Sequence, residues 1–163
     1  MIEYLIPAAV LKAAIYCVAR KDVRFYLQGI AIDRGHVIAT DGNRMFYVKI
    51  KGLDADLPQI IIPTEAVELF FKRAKIKSSL IHDFSIKITL ESNDKGQLEL
   101  DNIVETFIPI NGKYPDWTRV SALKEGSILD GDFPSFNWEY MADFQKMAKL
   151  LGIGCRSRVG LEV

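Results

Sequence analysis

The sequence predicts an α+β fold made of two copies of one β-α-β-β-β unit, with both helices on one face of antiparallel sheets. An Ile-Pro pair that ends a short apolar run occurs twice, as Ile6-Pro7 and Ile62-Pro63, at an offset of 56 residues. Apolar side chains at helical spacing follow each pair. About three runs with strand character then complete each copy, and residues 84–91 alternate strictly between apolar and polar side chains.

The first copy begins with a strand over residues 3–6. Pro7 suits the first turn of a helix, because its missing N–H would have no partner there. This helix is expected to end near Arg20-Lys21, where basic side chains favour the C-terminal end of the helix dipole. Its apolar stripe consists of Val10, Leu11, Ala14, Ile15 and Val18.

Two β-rich runs joined by Asp33-Arg34-Gly35 follow the first helix, and a third strand covers residues 45–50. The second run ends in Asp41-Gly42, a strong tight-turn signal because glycine tolerates positive φ at low steric cost. Arg24 is expected early in the first strand and Arg44 just past the turn. A hairpin of suitable register would bring both arginines onto one surface.

The second copy follows a polar connector at residues 52–58. A strand at 59–62 leads to a helix that Pro63 opens, and strands are expected at 84–91, 97–101 and 104–110, with a turn at 93–96. This pattern predicts a domain over 1–120 with repeats at about 1–52 and 58–120. The apolar stripe of the second helix consists of Ala66, Val67, Phe70, Phe71 and Ala74.

The remainder predicts a loop, a linker and part of a third copy. The loop at 111–120 contains Tyr114 and Trp117, which either anchor it on the sheet or stack on a partner. Residues 121–135 resemble a linker, and 136–163 predict a third unit that lacks its later strands. Asn137 is a plausible N-cap for its helix. The apolar stripe there consists of Tyr140, Met141, Phe144, Ala148 and Leu151.

Composition limits the class of protein. The 163 residues suggest one domain, or one domain and part of another. The 49% hydrophobic content excludes disorder, and the zero net charge means that any grip on nucleic acid must come from local patches. The apolar start lacks a basic leader region, so it is interpreted as mature structure of a cytoplasmic protein. No run reaches the roughly 18 apolar residues of a membrane span.

No pattern in the sequence indicates catalysis. Cys17 and Cys155 lie far apart, and only His36 and His82 could join them, so neither a zinc site nor another metal site is expected. Cys17 is expected to be a buried free thiol. Nucleophile-elbow, phosphate-loop and dinucleotide motifs are not found. We therefore expect a non-enzymatic protein without a cofactor.

Three stretches resemble a known family. DVRFYLQGIAI at 22–32, VIATDGNRM at 37–45 and GKYPDWTRV at 112–120 have the order and approximate spacing of motifs in bacterial DNA polymerase III β subunits, the sliding clamps. In the middle domain of that family the motifs read close to DVRYYLNG, VATDGHRL and GRFPDYRRV. The resemblance covers about residues 3–120, and the helix after Phe136 resembles the start of the next clamp domain.

The resemblance implies a DNA clamp fold, with helices lining a ring around duplex DNA and sheets outside. It also implies a pocket for short peptides of DNA polymerase, the clamp loader and other replication proteins, typically glutamine-led and ending in bulky apolar side chains. Asn43 stands where the family usually has His, and Met45 where it has Leu; methionine suits an adaptable apolar groove. By matched position, the pocket comprises Arg24, Leu27, Thr40, Gly42, Asn43, Arg44, Met45, Pro115, Arg119 and Val120.

Other interpretations of these residues stay open. The apolar members of the set could be ordinary core or loop packing, and the arginines could be solvated strand residues. Cations on or just after the three helices would contact phosphate without sequence preference. A merely solvated helix face, diluted by glutamates, is the alternative. The cations are Lys12, Arg20, Lys72, Arg73, Lys75, Lys77, Lys146 and Lys149.

The leading functional prediction is a sliding-clamp-like processivity protein that tethers replication proteins to duplex DNA through a peptide groove. The alternative is a stand-alone peptide-binding module, of phage or plasmid type, that captures clamp-binding motifs without encircling DNA. A structural remnant is a third class. A ring would need several copies of so short a chain, so the mass in solution separates a homo-oligomeric clamp from a monomeric module.

Overall fold

The computed structural model describes residues 2–91, 95–121 and 137–153. Most of the expected linker, Phe136, Cys155, the turn at 93–94 and the end of the chain lie outside these residues. In the described part, no helix is long and apolar enough to cross a membrane. The elements are β1 (Ile2–Pro7), α1 (Ala8–Ala14), β2 (Gly29–Asp33), β3 (His36–Thr40), β4 (Met45–Lys49), β5 (Ile60–Pro63), α2 (Thr64–Ala74), β6 (Ser85–Leu90), β7 (Gly96–Leu100), β8 (Ile103–Phe107), α3 (Thr118–Ser121) and α4 (Trp138–Leu150).

The strands form two antiparallel four-stranded sheets, β1-β6-β7-β8 and β4-β3-β2-β5. The duplicated α+β unit is confirmed, but the two copies exchange their first strands. Pro7 lies opposite Ser85, and Pro63 lies opposite Gly29, so the offset of 56 residues relates both pairs. Local sequence patterns did not predict the exchange, because they do not encode which distant strands pair.

The helices lie together against the main core, as predicted. α1 contacts both α2 and α4, and it also packs on β3 and β4, whereas α2 packs on β7 and β8. Every α1 residue except Lys12 is buried. The core between helices and sheets includes Ile6, Leu11, Ile30, Val67, Phe70, Ile86 and Ile88.

The first helix is shorter than predicted. Its α-helical part ends at Ala14, a 3₁₀ turn over Ile15–Cys17 follows, and Val18 is extended. The reason is tertiary: the N–H of Ala19 donates to the carbonyl of Leu27 at 3.0 Å, so the chain leaves the helix well before Lys21. The expectation of a helix up to Arg20-Lys21 was therefore wrong.

Arg24 does not lie in a strand. Residues 25–28 form a 3₁₀ turn, and β2 begins only at Gly29. The carboxylate of Asp22 accepts a hydrogen bond of 2.8 Å from the backbone N–H of Arg24, a local side-chain contact that competes with strand pairing.

The last strand of the second copy also ends early, at Phe107 rather than Ile110. The N–H of Ile110 instead donates to the carbonyl of Ile61 at 2.9 Å, which directs the chain across the other sheet. This bond places the following loop over β5.

The helix predicted for the third copy is α4, and it begins as predicted. The side chain of Asn137 accepts a hydrogen bond of 2.9 Å from the N–H of Glu139. Two residues of its predicted apolar stripe are exposed, Met141 at 41% and Phe144 at 39%, whereas Tyr140, Ala148 and Leu151 are partly buried. Counted from the residue before each helix, the two exposed positions correspond to Val67 and Phe70 of α2, which are fully buried. The described residues include no sheet that covers this face of α4.

The buried side of α4 is the one that meets α1. Met147 is buried there, with its Sδ 3.8 Å from the Sγ of Cys17. Cys17 is a buried free thiol, as predicted, and burial raises the pKa of this thiol to about 11. This thiol therefore stays protonated at neutral pH.

Candidate functional site

A loop on the outer face of the β4-β3-β2-β5 sheet forms one side of the site. The hydroxyl of Tyr114 accepts a hydrogen bond of 2.9 Å from the N–H of Thr40, and the indole of Trp117 donates to Asp33 at 3.0 Å. Both rings are buried in a second apolar core on this face, and burial raises the pKa of the Tyr114 phenol. The prediction that these aromatics anchor the loop on the sheet is confirmed.

The turn between β3 and β4 forms the opposite side and is closed by its own side chains. The hydroxyl of Thr40 donates to the carbonyl of Arg44 at 2.7 Å and accepts from the N–H of Gly42 at 3.1 Å. One oxygen of Asp41 accepts from the N–H groups of Asn43 and Arg44, at 2.9 and 3.1 Å. These bonds explain why the Thr-Asp-Gly sequence forms a rigid turn here.

Gly42 meets two requirements of this turn. Its φ is +93°, a conformation that side chains disfavour. The guanidinium of Arg24 lies 3.0 Å from where a Cβ of residue 42 would stand, and its Nη2 donates to the Asp41 carbonyl at 3.4 Å. Asp22 fixes this guanidinium through bonds of 2.7 and 3.0 Å, and these bonds hold the pKa of the Asp22 carboxyl at about 2.

Nine of the ten residues predicted for the pocket line one cavity of about 300 Å³. Arg119 does not: its side chain is 85% exposed and pairs with Asp116 at 3.3 Å. Asp116 and Trp117 were missed, although they lie inside the third matched motif. The complete lining is Arg24, Leu27, Thr40, Gly42, Asn43, Arg44, Met45, Pro115, Asp116, Trp117 and Val120.

The chemistry of the cavity is apolar with compensated charge. Leu27, Met45, Pro115, Trp117 and Val120 contribute apolar surface. The arginines at its edge are already paired, Arg24 with Asp22 and Arg44 with Asp41. Such a cavity favours a ligand with bulky apolar side chains, and backbone groups of the turn can orient that ligand by hydrogen bonds.

Arg44 has a further set of partners that the sequence did not predict. Its Nη1 donates to Asp143 of α4 at 2.8 Å, and its guanidinium carbon lies 4.3 Å from the centroid of the Tyr140 ring. Burial lowers the pKa of Arg44, but the hydrogen bonds to Asp143 and Asp41 outweigh it and raise that pKa overall. Tyr140 was assigned to an apolar stripe, and nothing in the local pattern singles out Asp143.

The helix-borne cations divide into two groups. The residues with a partner inside the protein are Arg20 with Glu68, Arg73 with Glu105, Lys146 with Asp143, and Lys12 over the ring of Phe71. The residues that are exposed and make no ion pair within the described part of the chain are Lys72, Lys75, Lys77 and Lys149. These four lysines leave exposed positive charge on or just after α2 and α4.

The described residues outside this cavity contain none of the predicted site residues grouped around a second cavity. They contain no cluster of three His, Cys, Asp or Glu side chains that could hold a metal ion. A larger cavity, of about 590 Å³, lies where the ends of β1 and β5 meet residues 108–112. Its lining contains one charged residue, Glu91, and none of the predicted site residues.

Comparison with known proteins shows which proteins the chain resembles in sequence and fold. No protein-family model matches the chain. The β sliding clamp of Buchnera aphidicola is 28% identical over 127 residues, which cover 72% of this chain and 33% of that protein. The β sliding clamp of Haemophilus influenzae is 26% identical over 148 residues, which cover 86% of this chain and 37% of that protein.

Solved structures show the same likeness. The crystal structure of the DNA polymerase III β subunit from Pseudomonas aeruginosa aligns with a TM-score of 0.56 at 25% identity, over 77% of this chain and 35% of that one. The chain therefore spans about a third of the length of the proteins it matches. In sequence and in fold, it is similar to one part of a bacterial β sliding clamp, the DNA polymerase III β subunit.

Proposed function

We propose that this chain is a non-catalytic, sliding-clamp-like protein that tethers DNA polymerase or other replication proteins to duplex DNA through a peptide-binding groove. The observation that carries the proposal is the convergence of three separate stretches, around Leu27, Thr40–Met45 and Pro115–Val120, on one cavity. These are the stretches that resemble the clamp motifs. Similarity to the β sliding clamps over most of the chain adds further support.

The groove suits the apolar end of a short peptide. A segment ending in bulky apolar side chains would bury them against Leu27, Met45 and Trp117, which gains about 25 cal/mol for each Å² of apolar surface removed from water. The missing side chain of Gly42 leaves room for the Arg24 guanidinium, so an extended ligand at this turn would meet that guanidinium. The partners we propose are the clamp-binding peptides of DNA polymerase and of the clamp loader.

Titration of a fluorescently labelled clamp-binding peptide tests the groove directly. Met45→Glu would place a carboxylate in the apolar cavity, which costs several kcal/mol unless it is paired. This variant should lose measurable binding while its circular dichroism spectrum stays that of the parent. Val104→Glu makes the same kind of change at an exposed site on β8 outside the cavity, and it should bind normally. Equal affinity of the Met45→Glu variant and the parent would exclude the groove.

Duplex DNA is the second proposed partner. The support is the layer formed by α1, α2 and α4, with four exposed cations that make no ion pair among the described residues. Such contacts would reach phosphate, carry no sequence preference and weaken with salt. A clamp holds DNA by encirclement, so weak contact is compatible with this function.

A stand-alone peptide-binding module is the second candidate, and one observation favours it: three of the eight predicted cations are neutralised by carboxylates within the protein. Size-exclusion chromatography with light scattering measures the mass of the protein in solution and so distinguishes the two candidates. A homo-oligomer large enough to close a ring, with DNA binding at low salt, supports the clamp. A monomer that binds the peptide but not DNA supports the module.

We further infer that α4 begins a third copy of the unit. The correspondence of Met141 and Phe144 to the sheet-facing residues Val67 and Phe70 of α2 supports this. In a complete third unit, a sheet would cover that face. A chain extended by such a sheet should bury Met141 and Phe144, which oxidation rates of Met141 would report.

A further inference from the structure

Helix α4 lies outside the cavity but binds Arg44, one of the residues that line it. Arg44 lines the cavity, yet its guanidinium is bonded to two elements that lie far apart in the chain. Its Nε donates to Asp41 in the turn at 3.0 Å, and its Nη1 donates to Asp143 in α4 at 2.8 Å. The side chain of Arg44 is only 12% exposed and that of Asp143 21% exposed, so water screens this pair weakly.

Three contacts fix the guanidinium in position and in plane. The two carboxylates bind different edges of its planar fork, and the Tyr140 ring lies 4.3 Å from its central carbon. A guanidinium that is both hydrogen-bonded and stacked has little freedom left to rotate. Without α4, Asp41 alone would hold it, at one edge.

α4 has its own attachment to the core, and none of its residues lines the cavity. Met147, one turn beyond Asp143, is buried beside Cys17. Tyr140, Asp143 and Met147 therefore lie on the one face of the helix that meets the first unit. Asp143 also accepts from Lys146 at 3.0 Å, which keeps its carboxylate oriented toward this face.

We propose that Tyr140 and Asp143 are positioning residues for the peptide groove, and that docking of α4 and binding of a peptide are coupled through Arg44. This proposal rests on the proposed peptide-binding function and names how that site is regulated. A bound peptide that packs against Arg44 stabilises the orientation that α4 also requires. Because such coupling is reciprocal, α4 docking strengthens peptide binding by the same factor by which the peptide strengthens docking.

The affinity test uses the full chain and a labelled clamp-binding peptide. Asp143→Asn should weaken binding about fivefold or more, the lower end of typical coupling between sites. The matched control is Glu139→Gln on the same helix, because the Glu139 carboxylate makes no ion pair within the described residues. In an Arg44→Met background, Asp143→Asn should cost nothing further, because Asp143 acts through Arg44. Additive losses in that background would overturn the proposal.

Hydrogen exchange measures the reciprocal effect, that of peptide binding on the docking of α4. In the parent, saturating peptide should slow exchange of the α4 amides, although no α4 residue lines the cavity. In Asp143→Asn at the same peptide occupancy, this protection should disappear. Unchanged α4 exchange in the parent, or unchanged peptide affinity of Asp143→Asn, would overturn this inference alone. A parent that binds no peptide would overturn the proposed function and, with it, this inference.

Discussion

The guanidinium of Arg44 is bonded to the carboxylate of Asp143, a residue 99 positions later in the chain. The bond joins the turn after β3 to the middle of α4, and it lies directly beside the candidate groove. Its strength depends on the charge of Asp143, which makes it sensitive to pH.

Lowering the pH should remove the contribution of this bond to stability. The hydrogen bond from Arg44 is the main reason why the pKa of Asp143 is lowered in the folded protein. The contribution is therefore complete above the unfolded pKa of about 3.9, and it is lost as the pH falls through the lower folded value. Urea unfolding of the parent and Asp143→Asn should differ by about 1 kcal/mol or less at pH 7.

That difference should stay constant down to about pH 5 and shrink toward pH 3. The guanidinium of Arg44, whose pKa is raised, stays charged over this whole range. Glu139→Gln provides the control, and its unfolding free energy should differ little from that of the parent at every pH. If the difference in unfolding free energy between the parent and Asp143→Asn grew as the pH fell, the stabilising role of the Arg44–Asp143 bond would be contradicted.

Replacing Gly42 by Ala should cost stability and peptide binding together. The positive φ alone should cost about 1 kcal/mol in urea unfolding. Gly52→Ala is a matched control, because Gly52 also has a positive φ, of +81°, but nothing lies within 4 Å of its Cβ position. Both variants should lose similar stability, and only Gly42→Ala, which displaces Arg24, should lose affinity for the labelled peptide. Equal peptide affinity of the two variants would show that Arg24 does not shape the groove.

Gly29→Ala should be strongly destabilising. A Cβ there would stand 2.5 Å from Cγ2 of Ile61 and 2.8 Å from the carbonyl oxygen of Ile62, so backbone must move, at about 1–3 kcal/mol. Ser85, the equivalent residue of the other copy, is exposed, and Ser85→Ala should change stability by only about 0.5 kcal/mol. Guanidinium unfolding measures both, and similar losses would contradict the close packing at Gly29.

Reversing charge at the end of α2 should weaken binding to duplex DNA. Lys72, Arg73 and Lys75 replaced together by Glu should lower affinity for any sequence, and the parent's affinity should fall steeply with salt. Fluorescence anisotropy at low salt provides the measurement. The control carries the same charge change at exposed lysines in strand and loop positions, namely Lys49, Lys51 and Lys113. Equal DNA affinity of both triple variants would leave the helix layer without a role in binding.

The sequence predicted those features that depend on local patterns. The Ile-Pro pairs and helical stripes were sufficient for the duplicated unit, and the three motif stretches were sufficient for nine cavity residues. The early end of α1 was not predictable, because it depends on a bond between Ala19 and Leu27. The contact of Arg44 with Tyr140 and Asp143 depends on how α4 docks, which no local pattern contains.

The exchange of β1 and β5 has a consequence for symmetry and descent. Each half of the chain donates its first strand to the sheet of the other half, with Pro7 opposite Ser85 and Pro63 opposite Gly29. This is the arrangement of an isologous dimer, in which each subunit gives its partner the same element that it receives. A half-length ancestor could have completed both sheets by pairing with a second copy of itself. The connector at 52–58 joins the two halves into one polypeptide, in which the reciprocal strand exchange is retained inside a single domain.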